Sequence, residues 1–119
     1  MQRSTKDTVL DLLAAWEPRT ILDCPSGNGW LAREAGEGRV LDGLDLYETS
    51  AQGYRRLEKH DLDQGLPGYL DRYDCLVCCE GLEHLANPEL FLRTARGRLN
   101  PGGRIIITTP NTYYAMSRL

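Results

Sequence analysis

Thr20-Ile21-Leu22-Asp23-Cys24-Pro25-Ser26-Gly27-Asn28-Gly29 is the stretch on which the fold turns. Thr20 to Leu22 reads as a short buried strand closing on the acid Asp23, and Pro25 to Gly29 as a sharp turn. Trp30 to Ala35 follows as a helix that ends at Gly36 and Gly38. Upstream, Thr5 to Trp16 sets Val9, Leu10, Leu12, Leu13 and Trp16 on one helical face, with Ser4 and Asp7 as its capping start and Glu17-Pro18 as its end. Downstream, Arg39 to Leu44 supplies a second strand closing on Asp45, and Leu46 to Gly53 leaves room for only a turn or so of helix. The polar stretch Arg55 to His60 suits a third strand at the edge of a sheet, followed by Asp61. Asp74 to Cys79 is a fourth strand, buried and near-continuously apolar, ending on Glu80. Asn87-Pro88 opens a helix carrying Phe91, Leu92, Ala95 and Leu99 at core spacing, which Asn100-Pro101-Gly102-Gly103 stops. Arg104 to Thr108 is the fifth strand, ended by Pro110. Strands alternating with helices in this way predict a mainly parallel sheet of about five strands with helices on its faces.

Composition narrows the class. At 119 residues, 41% hydrophobic and 26% charged, the chain suits one globular domain over 1–119. A formal charge of −3, with Lys and Arg scattered, argues against a duplex nucleic-acid footprint or a polybasic membrane patch. No apolar stretch approaches the roughly 20 residues that span a bilayer. Lys6, Asp7 and Asp11 interrupt the opening segment, so it is not a secretory signal, and a soluble cytoplasmic domain is expected. Cys75, Cys78 and Cys79 invite a zinc reading, but on one strand Cys75 and Cys79 face one way and Cys78 the other; no metal site is expected.

Asp23, Asp45, Asp61 and Glu80 stand at successive strand ends, where an open parallel sheet binds its ligands. Singly each could be a helix cap or a solvated loop acid. Together, with no Walker lysine and no arginine cluster, they suit hydroxyls, amines and cationic groups better than phosphate. Gly27 and Gly29 would let such a ligand lie against bare backbone. Gly27-Asn28-Gly29-Trp30-Leu31-Ala32 also fits the dinucleotide pattern G-x-G-x-x-G/A with Asp45 downstream, which keeps a nicotinamide enzyme open as a reading. Asp23 speaks against it, standing where dinucleotide folds usually continue an apolar strand.

Ile21 to Gly29, Gly43-Leu44-Asp45 and His60-Asp61-Leu62 resemble the first three motifs of the class I S-adenosylmethionine-dependent methyltransferases, particularly the small-molecule type. Tyr73 to Leu85, with its Glu83-His84 turn, is similar to that family's fourth strand, and Leu99 to Arg104 with Thr109-Pro110-Asn111 to its helix end and fifth strand. The resemblance covers nearly the whole chain. It implies a Rossmann-like, doubly wound α/β fold, S-adenosyl-L-methionine as cofactor and methyl transfer to a small-molecule acceptor. By it, Asp23 and the backbone of Pro25, Ser26, Gly27 and Gly29 would cradle the methionine end of the cofactor. Asp45 would hold both ribose hydroxyls, with Leu46 packed nearby. Asp61 would accept from the adenine amino group, the Leu62 N–H would meet a ring nitrogen, and the Cys79 carbonyl would lie near the ammonium. Pro25 departs from the family's usual glycine and removes one N–H.

The resemblance also implies a sheet that continues past the fifth strand, whereas here Tyr113, Tyr114, Met116 and Leu119 read as the opening of the next helix. The expectation is therefore a chain lacking the usual C-terminal strands, with the edge of Arg104 to Thr108 open to pairing with a second copy. Such a chain is expected to bind cofactor with little transfer of its own. No catalytic residue is assigned: His84 is the one candidate for a general base, and a structural hydrogen bond at the start of a helix is its expected role. A catalytically silent cofactor-binding or partner module, similar to an accessory family of methionine biosynthesis through Asp61-Leu62-Asp63 and Pro110-Asn111, is the alternative function.

Overall fold

A computed structural model of the chain describes residues 4–47, 52–110 and 112–117. Five strands run parallel: β1 (Thr20–Asp23), β2 (Val40–Asp45), β3 (Arg56–Lys59), β4 (Tyr73–Cys79) and β5 (Leu99–Thr109). A sixth, β6 (Thr112–Ser117), is antiparallel to β5, and the strand order is β3-β2-β1-β4-β5-β6. Chain order reverses between β1 and β4, so the crevice of an open α/β sheet falls beyond the carboxyl ends of those two strands. As its polar sequence implies, β3 is an edge.

The sheet is buried on both faces. Ile21, Leu41, Cys75, Val77 and Ile106 meet α1 (Thr5–Trp16) through Val9 and Leu13, and α2 (Trp30–Ala35) through Leu31, Ala32 and Ala35. Their strand neighbours Leu22, Leu44, Leu76, Cys78, Ile105 and Ile107 meet Phe91 and Ala95 of α3 (Pro88–Gly97) on the other face. This period-two division is the one expected for the cysteines, with Cys75 and Cys79 packed on one face and Cys78 on the other. The α1 cap also forms as read, the Asp7 N–H donating to Ser4 Oγ at 3.1 Å. Among the described residues no helix is long and apolar enough to cross a membrane.

Two expectations are corrected. Leu99 is not the last core residue of α3: the helix closes at Gly97, and Leu99 already pairs with Tyr73. The ladder then shifts register before Arg104 meets Cys75, so Asn100 to Gly103 is an irregular stretch within β5, with Gly102 at φ 78°. Tyr113, Tyr114 and Met116 do not open a helix; they pair with Thr108, Ile107 and Ile105, so the β5 edge is filled by the same chain. The physical reason is the apolar run Ile105 to Ile107, whose open N–H and C=O groups take the next aromatic and β-branched stretch as a partner. The expected pairing of a second copy through that edge therefore loses its template. Leu119, and part of the Leu46 to Gly53 turn, lie outside the described residues.

Among the described residues, one acid is buried in the middle of a strand. Asp42 is 1% exposed and accepts from Arg55 at 3.0 and 2.6 Å and from the Tyr73 hydroxyl at 2.6 Å. These partners hold its carboxyl below the usual range despite burial. Arg55→Met should destabilise the protein by about 1 to 2 kcal/mol at pH 7, the low figure reflecting a half-exposed arginine. Because the folded pKa of Asp42 is depressed, its stabilisation is present above the unfolded value and lost as pH falls through the folded one; urea unfolding should show the wild-type advantage shrinking toward pH 3.

Candidate functional site

Two cavities adjoin beyond the carboxyl ends of β1, β2 and β4. One, of about 350 Å³, is lined by residues that include Lys6, Pro25, Ser26, Gly27, Asp45, Cys79 and Glu80. The other, of about 400 Å³, is lined by residues that include Pro25, Asp45, Leu46, Asp61, Leu62, Glu80 and His84. Pro25, Asp45 and Glu80 belong to both walls, so the two form one bent crevice. The structure thus gathers eight of the ten residues singled out from sequence. Gly29 lines neither cavity but, at φ 80°, supplies the left-handed turn into α2. Asp23 also lines neither, lying just behind them.

The glycine turn is held by its own amides. The Ser26 N–H donates to the Leu44 carbonyl at 2.9 Å, the Gly27 N–H to Asp45 Oδ2 at 2.8 Å and the Gly29 N–H to the Ser26 carbonyl at 3.0 Å. Asp45 also accepts the Tyr47 N–H at 3.1 Å, so one carboxylate ties the turn to the end of β2. A turn whose amides are committed in this way presents smooth surface, carbonyls and a hydroxyl to a ligand instead of a cradle of donors. At Gly27, φ is 57° and an added Cβ would meet nothing within 4 Å, so the space in front of it is open. Ser26 is 1% exposed, and among the described residues its Oγ is the buried side-chain polar atom with no hydrogen-bond partner. A buried hydroxyl left without a partner is costly, which points to a polar group that arrives from outside.

The far wall is built from short-range caps. Asp61 accepts the Asp63 N–H at 3.0 Å and so caps a single 3-10 turn, Leu62–Gln64, while Asp63 accepts the Asn87 N–H at 2.9 Å at the start of α3. Glu80 holds a left-handed φ of 53°, its N–H donating to the Thr108 carbonyl at 2.9 Å; strain at a non-glycine residue on a crevice wall marks a place where side-chain position matters. Gly81 packs directly on the Pro25 ring, leaving no room there for a Cβ. His84 sits on a 3-10 turn, not the first turn of a helix; its side chain is 78% exposed and its Nε2 lies 3.7 Å from Glu83, too far for the structural hydrogen bond expected of it.

Behind the crevice, Asp23 is 2% exposed and accepts a 2.5 Å hydrogen bond from the Tyr54 hydroxyl. Burial, aided by the charge of Asp45 and opposed by Tyr54, lifts its pKa from 3.8 to about 7. Burial also pushes the thiols of Cys75, Cys78 and Cys79 up to about 12, which keeps them protonated and unreactive. Sequence reasoning missed Tyr54 and Lys6. Neither carries a local signal, because each reaches the site only through the tertiary fold. Lys6, over the Trp30 ring at 5.0 Å, is the sole lysine or arginine lining either cavity among the described residues.

A methyltransferase domain family model matches residues 1–119, and the chain belongs to that family. It is 30% identical over 120 residues to a ubiquinone biosynthesis O-methyltransferase of Alkalilimnicola ehrlichii, covering 88% of this chain and 47% of that protein. The same-named enzyme of Pseudomonas paraeruginosa is 27% identical over 116 residues, with 86% and 49% covered. The chain therefore spans about half the length of the curated relatives it matches. Among solved structures, the S-adenosylmethionine-bound amino pentose methyltransferase CalS10 of Micromonospora echinaspora superposes with a TM-score of 0.73 at 20% identity, covering 90% of this chain and 51% of that one. An S-adenosylmethionine-dependent methyltransferase of Mesorhizobium loti gives 0.63 at 28% identity, with 77% and 46% covered.

Asp23 has a stability consequence of its own. A carboxyl whose folded pKa is raised contributes stability below its unfolded pKa that is lost as pH rises through about 7. Asp23→Asn keeps an acceptor for Tyr54 and carries no charge at any pH. It should melt roughly 5 °C or more above the wild type at pH 8, with the gap narrowing as pH falls below 7 and closing near pH 4, as followed by circular dichroism.

Proposed function

We propose that the crevice binds S-adenosyl-L-methionine and that the protein transfers the methyl group to a small-molecule acceptor. The observation that carries this is the joined pair of cavities walled by Asp45, Glu80 and Asp61, with the unpartnered Ser26 hydroxyl in one wall and open space before Gly27. That donor and acceptor set fits the group. Carboxylates receive hydroxyls and amines, a cation receives a carboxylate, and no arginine cluster waits for phosphate. Family membership supports the same reading.

Each residue has a task that its position allows. Asp45 would accept from ribose hydroxyls with the lone pairs that its two backbone bonds leave over. Asp61 and the Leu62 N–H would read the adenine edge, with Leu46, 52% exposed, closing over the base. The Cys79 carbonyl and the Ser26 hydroxyl would meet the ammonium, and Lys6 the carboxylate of the methionine end. Pro25 and Gly27 would form the surface on which the chain of the ligand lies, and Gly29 would keep the turn in shape. Asp23 would add negative charge from behind. When bound, the cofactor supplies a methyl group activated by a sulfonium. What the protein adds is alignment and exclusion of water; no acid or base is obligatory unless the acceptor must lose a proton. The four free cysteines, unpaired with one another, suit a reducing compartment, and we place the protein in the cytoplasm on that ground.

Calorimetry tests the reading. S-adenosylmethionine and S-adenosylhomocysteine should both bind, and Asp45→Ala should weaken binding at least tenfold, since hydrogen bonds to a charged group contribute about 1.5 to 3 kcal/mol each. Binding of NAD without binding of either sulfur compound would overturn it.

A further inference from the structure

Tyr54 and Arg55 are consecutive residues whose side chains reach buried acids on opposite faces of the sheet, Tyr54 to Asp23 and Arg55 to Asp42. Arg55 accounts for the burial of Asp42 inside the fold. The Asp23–Tyr54 pair lies elsewhere, behind the cofactor crevice. A route for the tyrosine has been left open: a Cβ on Gly43 would come within 2.9 Å of the Tyr54 ring, so the bare backbone of β2 is what allows the ring to lie across it and reach β1. Asp23 is sealed from solvent, yet electrostatically close to groups that line the crevice, with Asp45 raising its pKa and Asp23 in turn raising that of Cys79.

We propose that Tyr54 is a positioning residue for the cofactor site, acting through its hydrogen bond to Asp23 to hold a negative charge behind the crevice that favours the ammonium end of the ligand. The proposal rests on the cofactor reading above. A tyrosine hydroxyl is suited to this work because it donates to an ionised carboxylate and so favours its charged form, without adding a positive charge that would cancel the field. An arginine at the same place would neutralise Asp23. The groups facing the pair are Asp45 from β2, Cys79 from β4, Cys24 next in the chain, and Arg33 from α2 on the Tyr54 side. Burial and, to a smaller extent, Asp45 oppose ionisation of Asp23 and raise its pKa to about 7, so that an arriving cation can draw its charge out.

The test is calorimetric titration of S-adenosylhomocysteine into the folded chain between pH 5.5 and 8.5, beside 5′-methylthioadenosine, which shares the nucleoside but lacks the ammonium. Affinity for S-adenosylhomocysteine should rise by up to about tenfold as Asp23 ionises, with no such rise for 5′-methylthioadenosine. Tyr54→Phe should move the midpoint of the rise upward by about one pH unit, and Asp23→Asn should abolish the rise. An unmoved midpoint in Tyr54→Phe, a rise that survives in Asp23→Asn, or an equal rise with 5′-methylthioadenosine overturns the proposal and leaves the cofactor reading intact. Failure of both probes to bind at any pH overturns the two together. If Tyr54→Phe does not fold, the wild-type carboxyl carbon of Asp23 decides by nuclear magnetic resonance: its midpoint should fall on loading with S-adenosylhomocysteine, and an unchanged midpoint overturns the proposal.

Discussion

A parallel sheet covered on both faces has water only at the ends of its strands, so carboxylates are cheap there and costly anywhere else. Asp45, Asp61 and Glu80 follow that constraint and stand on the crevice walls. Asp42, in the middle of β2, breaks it and needs Arg55 and Tyr73 to remain charged. Asp23 falls between the two cases, standing at a strand end yet buried, with the Tyr54 hydroxyl donating to it. The electrostatics of the site follow from how far each acid departs from the strand-end rule.

The turn shows why the glycines and Asp45 must be read together. With the amides of Ser26, Gly27 and Gly29 donating to Leu44, Asp45 and Ser26, little of the loop's donor capacity is left for a ligand. A phosphate would ask for those donors, whereas a flexible cationic chain asks for acceptors and smooth surface. The same bonds explain how Pro25 is tolerated: the N–H it lacks falls in a loop that holds itself by its neighbours, and its ring fills the space that Gly81 leaves.

Local chemistry made most of this legible from sequence. Apolar runs ending on acids located β1, β2 and β4 closely, and a cap followed by proline located the start of α3. The failures share a cause. Leu99 fits the helical spacing of Phe91 and Ala95, but pairing with Tyr73 outweighs one more turn of helix beside the pliable Asn100 to Gly103. Tyr113, Tyr114 and Met116 suit a helix or a strand equally by pattern, and the unpaired edge of β5 decides between them. Lys6 and Tyr54 lie 17 residues before and 31 residues after Asp23 in the chain, and nothing near either one tells which wall or which acid it will meet.

Strain and burial meet at the carboxyl ends of β1 and β4. Glu80 is held in a left-handed conformation just past β4, and Asp23, at the end of β1, is buried with a pKa raised to about 7. A fold selected for stability alone would place glycine or asparagine at the first position and an apolar side chain at the second. At Glu80 the cost lies in the backbone, since its side chain is exposed; at Asp23 it lies in the buried carboxyl, which a positive charge arriving in the crevice would offset. Caps differ in this respect: Asp61 and Ser4 stabilise the free chain through the N–H groups they accept, whereas Asp23, even with the Tyr54 hydroxyl donating to it, keeps a pKa raised by burial.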